Sequence, residues 1–127
     1  MIEEPKLLRI SKNLSRPSAK QVEALNMVPT GVANDAMWGK GAFTKAIKYF
    51  DPSSSTIPRI IGPALTVGTG PGDILALLAS LKFIEKGDIV LSSFGGYQGC
   101  AAAGDRVAGM LKIAVQRGSL PMGQCAI

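Results

Sequence analysis

Histidine is absent from this chain of 127 residues. Within the chain, that absence excludes Ser-His and Cys-His nucleophilic triads and any metal held by imidazole. Cysteine is scarce: the two cysteines, Cys100 and Cys125, stand in unlike contexts without metal-ligand spacing. Free thiols are therefore expected rather than a disulfide or a zinc site. A metal in such a chain would be held by oxygen ligands, which favours magnesium or manganese. Aromatic residues make up only 6%. The net charge of +5 comes from scattered Lys and Arg with no aromatics interleaved, which argues against direct nucleic-acid binding. There is no apolar run of about 18 residues and no basic-then-apolar leader with a small-residue cleavage site, so neither a membrane span nor export is expected. A cytoplasmic location is the matching expectation.

What is present is an ordinary globular composition, 46% hydrophobic and 18% charged, of a length that suits one domain. The first residues, up to about Pro17, mix charges with an apolar Leu7-Leu8-Arg9-Ile10 patch and read as an arm or short helix. Ser18 is placed to cap a helix from Ala19 to Met27, with a weak apolar stripe of Val22, Leu25 and Met27-Val28. Thr30 would cap a second helix, Gly31 to Trp38, ended by Gly39 and Gly41. Ala46 to Phe50 reads as a short strand and Asp51 to Ser55 as a surface loop.

From Arg59 the pattern sharpens. Arg59 to Val67 is strand-like, with a break at Gly62-Pro63 that suggests a bulge or an edge position. Gly70-Pro71-Gly72 turns the chain, and Asp73 is placed to cap an apolar helix, Ile74 to Ile84, closed by Lys86-Gly87. Asp88 to Phe94 reads as a buried strand. Strand, helix and strand predict a right-handed crossover, so the fold class is α/β with a mixed sheet holding at least one parallel pair.

The residues that could carry chemistry follow that second strand. Gly95 and Gly96 let the backbone approach a ligand closely. Backbone amides over Gly104, Asp105, Arg106 and Val107, at the start of a helix reaching Lys112, could hold a carboxylate or enolate oxygen. The same pattern also serves as a plain strand-to-helix turn. Asp105 is open to two readings, a surface acid that satisfies the helix dipole or a carboxylate that acts in or beside the chemistry. Arg106 reads as a solvated helix charge, Met37 and Trp38 as core or subunit-contact residues, and Cys100 as a small buried hydrophobe.

Several segments occur in a telling order: Asn34-Asp35-Ala36, Gly62 to Val67, Pro71 to Leu77, Gly87 to Val90, Gly95-Gly96 and Gly104-Asp105. Over roughly residues 18 to 112 the chain thereby resembles the RraA-like family. That family includes the 4-hydroxy-4-methyl-2-oxoglutarate/4-carboxy-4-hydroxy-2-oxoadipate aldolases and the regulators of ribonuclease E activity, and was formerly labelled demethylmenaquinone methyltransferase. The resemblance implies a three-layer α/β/β domain forming a homotrimer with active sites between subunits. It also implies a lyase dependent on magnesium or manganese, which releases pyruvate from a small oxo-acid and decarboxylates oxaloacetate on the side. On this view residues 1–17 are an N-terminal arm, 18–112 the RraA-like domain and 113–127 a tail outside the family pattern.

The family motif is an Asp, twenty residues, then Arg-Asp. Asp105 matches the first Asp as the catalytic candidate, and Gly104 to Val107 match the substrate-binding amides, with Gly95 and Gly96 beside them. Twenty residues beyond Asp105 the chain reads Ala126-Ile127, so the substrate arginine and the metal-binding aspartate have no counterpart there and no metal ligand is assigned. With one base added before codon 113, permitted codons for the tail translate to a segment ending Thr-Asp-Gly-Pro-Val-Arg-Asp, which resembles the missing part. A one-base deletion near the codon of Lys112 is therefore expected, with background aldolase activity as its consequence. Alternatives are a non-catalytic, protein-binding regulator of RNA degradation, or a frameshifted product without function.

Overall fold

The computed structural model describes residues 8–11, 13–45, 47, 59–101 and 103–116. The strand expected at 46–50 (apart from Ile47), the loop at 51–55 and residues 117–127 lie outside them. The elements are α1 (Ala19–Asn26), α2 (Thr30–Ala36), β1 (Ala64–Gly68), α3 (Leu75–Ser80), β2 (Ile89–Ser93) and α4 (Asp105–Gln116). The strands β1 and β2 pair in parallel, from Ala64 opposite Ile89 to Gly68 opposite Ser93. A parallel neighbour requires a crossover, and α3 supplies it. The described residues are thus a mixed α/β arrangement built on a two-stranded parallel sheet.

Period-two alternation sets the buried face of the sheet. Leu65 and Val67 are buried while Ala64, Thr66 and Gly68 are exposed, because successive side chains of a strand leave on opposite faces. Those two side chains and Val90 of β2 form one core with Leu77 of α3 and with Val107 and Leu111 of α4. Val107 and Leu111 stand four apart and so share one helix face. Burying a side chain of this kind contributes about 1.5–3 kcal/mol.

Two boundaries differ from the sequence reading for visible reasons. The expected long strand begins only at Ala64, although the Pro63 carbonyl already accepts the Ile89 N–H at 2.7 Å. Pro63 itself has no N–H to offer a ladder. Gly62 passes so close to the Gly87 carbonyl that a β-carbon at position 62 would collide with it. The helix expected to reach Ile84 stops at Ser80, whose Oγ donates to the Leu77 carbonyl at 2.6 Å. A serine hydroxyl that bonds back in this way competes with continuation of the helix.

Capping explains the first two helices. Ser18 does cap α1: its Oγ accepts the Gln21 N–H at 3.3 Å, and the Gln21 Oε1 accepts the Ser18 N–H at 2.8 Å. At the other end Arg59 donates to the carbonyls of Leu25, at 3.1 Å, and Val28. Thr30, expected as the cap of α2, is instead its first residue; Pro29 precedes it without a side-chain cap bond. The helix ends as a Schellman motif, in which Trp38 N–H donates to Asp35 O and Gly39 N–H to Asn34 O, each at 2.9 Å. Trp38 carries the left-handed φ of 57° that this motif demands at its first non-helical residue. Its side chain is 89% exposed, so it is no core residue of this chain. Met37 is exposed as well.

The segment before α1 is tied down at one point. Asp88, expected as the first residue of a strand, stands just before β2 with 2% exposure. Its carboxylate accepts the Glu85 N–H at 2.9 Å and both Arg16 Nε and Nη2, at 3.2 and 2.7 Å. Arg16 Nη2 also donates to the Phe83 carbonyl at 2.7 Å, and Nη1 lies 3.1 Å from Glu85. The hydrogen bond to Asp88, ahead of the Coulombic attraction of Asp88 and Glu85 and against desolvation, raises the guanidinium above its usual pKa. Arg16 therefore stays charged throughout the working pH range.

Candidate functional site

Parallel strands end together, and ligands of α/β sheets bind beyond those carboxyl ends. Here Gly68 and Ser93 end side by side. The Ser93 carbonyl accepts both the Thr69 N–H, at 2.8 Å, and the Thr69 hydroxyl, at 3.0 Å, which fastens the two outgoing loops to each other.

The loop after β2 opens with a turn in which Tyr97 N–H donates to Phe94 O at 3.2 Å. Its central residues, Gly95 and Gly96, have φ of 63° and 77°. Two successive left-handed residues are a conformation that glycine adopts without steric cost and other residues rarely do. The loop after β1 packs against this turn: a β-carbon on Gly72 would lie 3.5 Å from the Tyr97 ring, and one on Gly95 4.0 Å from Pro71. Asp73, expected as the cap of this helix, stands one residue too early: α3 starts at Leu75 with Ile74 at the cap position, although the Asp73 Oδ1 still accepts the Leu75 N–H at 2.8 Å.

The other expected group lies at the start of α4. The Gly104 carbonyl accepts the Ala108 N–H at 3.0 Å, so Gly104 is the last residue before the helix and Asp105 its first. The Asp105 Oδ1 accepts the Arg106 N–H at 2.9 Å, placing a carboxylate on the positive end of the helix dipole. Asp105 and Arg106 are exposed, in line with a solvated charge at Arg106. Val107 is buried in the core, so only its backbone could face a ligand. The helix continues past Lys112 to Gln116, into the stretch read as the tail. Among the described residues no hydrogen bond joins the Gly95-Gly96 turn to Gly104–Val107; both belong to the segment that leads from β2 into α4.

Sequence reasoning missed an open cleft of about 470 Å³ over the carboxyl halves of both strands, lined by Phe43, Ile47, Thr66, Leu91 and Ser93 among others. Ser92 shares the face of β2 that carries buried Val90, and its Oγ is buried without a hydrogen-bond partner among the described residues. The signal available in the sequence was the switch from apolar residues to Ser92-Ser93 at the end of β2. Cys100, expected to be buried, is exposed and free: it lies in the loop between the glycine turn and α4, where no core element covers it.

A magnesium or manganese ion takes several oxygen ligands. No group of three or more carboxylate, cysteine or histidine side chains that could hold a metal occurs among the described residues. Asp88 is engaged by Arg16 and Asp73 by α3, which leaves Asp105 as one exposed carboxylate at the start of α4. The described residues do not build such a centre. No helix among them is long and apolar enough to cross a membrane.

Compared with known proteins, the chain is 30% identical over 99 residues to a protein of Halalkalibacterium halodurans named as a 4-hydroxy-4-methyl-2-oxoglutarate aldolase. The match covers 78% of this chain and 45% of the relative, so the chain spans about half the length of the curated protein it matches. No family model matches, and no solved structure matches.

Proposed function

We infer that this chain, which belongs to the RraA-like family, supplies the amide-lined, carboxylate-binding part of an oxo-acid lyase site. The substrate class is that of 4-hydroxy-4-methyl-2-oxoglutarate, and the product released is pyruvate. The observation that carries the reading is the start of α4: Gly104 ends the loop that follows β2, and Asp105 opens the helix. The Arg106 amide takes the Asp105 carboxylate, and the other amides of the first turn are fixed donors at the positive end of a dipole. Such donors suit the carboxylate of an oxo-acid and the enolate oxygen that develops as the carbon–carbon bond breaks. The paired left-handed glycines at Gly95-Gly96 keep the neighbouring backbone free of β-carbons, so a small anion could approach it. A three-layer α/β/β domain and trimeric assembly, with sites completed between subunits, are part of the same proposal.

Cleavage also requires a group that draws electrons from the 2-oxo group. A bound divalent ion supplies that chemistry where one is held, and the described residues do not hold it, so no step is assigned to it here. Residues 126 and 127 are Ala and Ile where the family motif has Arg and Asp. Chain 1–127 is therefore proposed to bind the oxo-acid weakly and to turn it over at background, since a missing charge partner at the reacting centre costs about 3–4 kcal/mol of barrier.

Two measurements test the reading. Pyruvate release from 4-hydroxy-4-methyl-2-oxoglutarate, with magnesium or manganese added, is expected to equal the metal-free blank; clear turnover would overturn the background-activity part. Oxalate, a planar mimic of the enolate, is expected to bind, and to bind at least fivefold more tightly in Asp105→Asn, which removes a like charge from the first turn of α4, with unchanged far-UV circular dichroism. Equal binding by both forms would remove Asp105 from the site.

A further inference from the structure

We propose that residues 8–11 and 13–16 belong to a strap, buckled by Arg16 onto Asp88, that closes over an apolar cavity on the α3 side of β1 and can be released without unfolding the strand–helix–strand unit beneath it. The cavity, about 160 Å³, lies between the strap residues Leu8, Ile10 and Leu14 and a floor that includes Leu65, Val67 and Ala76. Among the described residues the strap has no regular secondary structure, and no backbone hydrogen bond ties it to any other segment. Its apolar hold is weak: Ile10 is 48% and Leu14 38% exposed, so much of each side chain already meets water.

The polar hold is concentrated in one side chain. Arg16 donates two bonds to the Asp88 carboxylate and one to the Phe83 carbonyl, with Glu85 alongside. Bidentate guanidinium–carboxylate pairs are among the strongest side-chain contacts, and Asp88 is almost fully buried beneath this one. Asp88 keeps the Glu85 N–H whether or not Arg16 is present, so the turn before β2 has its own anchor when the strap lifts. A segment with half-wet apolar contacts and one strong buckle detaches as a unit once the buckle goes.

The test is limited trypsin digestion of the full chain, with the products weighed. The bond after Arg9 reports the strap; the bond after Arg106, in α4, reports the folded unit. In Arg16→Gln, cutting after Arg9 is expected to speed up about tenfold or more while cutting after Arg106 changes less than twofold. A dye that fluoresces on apolar surface should brighten in parallel. Arg16→Lys, which keeps the charge and loses the fork, should fall between. Unchanged cutting after Arg9 would show that Arg16 is no buckle. A matching rise at both bonds in Arg16→Gln and Arg16→Lys would show an ordinary structural ion pair and overturn the strap.

Discussion

Replacing Trp38, a large aromatic residue, by glycine is expected to stabilise the protein. Trp38 occupies the left-handed residue of the Schellman motif that ends α2, with φ of 57°, and its side chain is 89% exposed. For a residue with a β-carbon that conformation costs about 1–2 kcal/mol. Glycine avoids the cost but loses about 0.5–1 kcal/mol of extra backbone freedom on folding. The balance for Trp38→Gly is a gain of about 0.5–1 kcal/mol, or a rise in Tm of about 2–5 °C for a chain of this size. Trp38 is the only tryptophan, so urea and thermal unfolding should be followed by far-UV circular dichroism rather than fluorescence. Trp38→Ala is the control, since it removes the ring but keeps the strained backbone, and it should shift stability by less than about 0.5 kcal/mol. A loss above about 1 kcal/mol in Trp38→Gly, shared by Trp38→Ala, would refute the reasoning: the ring would then be packed against something in solution, such as a second copy.

Gly62→Ala should be strongly destabilising, by about 2 kcal/mol or more, because its β-carbon would strike the Gly87 carbonyl, backbone that cannot rotate aside; denaturant midpoints measure it. Leu77→Ala removes a side chain with 2% exposure at the centre of the core and is expected to cost about 2–5 kcal/mol, read by thermal unfolding. Gly109→Ala, on α4 with open space where its β-carbon would point, should raise stability by about 0.5–1 kcal/mol and increase helical signal.

Much of the strand–helix–strand unit was legible because its signals are local. Leu65 and Val67 alternate with exposed neighbours, Asp73 holds the first amide of α3, and Gly87 turns the chain into β2. Ser18 announced α1 in the same way. What the sequence hid depends on partners far along the chain. Arg16 and Asp88 lie 72 positions apart, so nothing near either one marks the pair, and Asp88 read as an ordinary first residue of a strand. Trp38 was open to two readings, core or subunit contact, and the backbone at the end of α2 points it outward, which removes the first. Cys100 did mislead, since burial follows from the cover a loop receives and not from residue type alone. At the candidate site the glycines and Asp105 were legible as motif residues, while the cleft beside Thr66 and Leu91 exists only once β1 and β2 are side by side.

The two ends of β2 divide the labour of this chain. At its amino end Asp88 is buried, satisfied by Arg16 and by the Glu85 amide, and turned away from the outgoing loops; its consequences run through stability. At its carboxyl end Gly95 and Gly96 hold left-handed backbone, and the next helix begins with a carboxylate in the open. Special backbone conformations are costs that a fold carries where a ligand is to be met. A substitution at Arg16 should therefore change how firmly the strap is held without changing oxalate binding at saturating folded protein. One at Asp105 should do the reverse, and that crossed pattern separates the stabilising end of the sheet from the end proposed to bind.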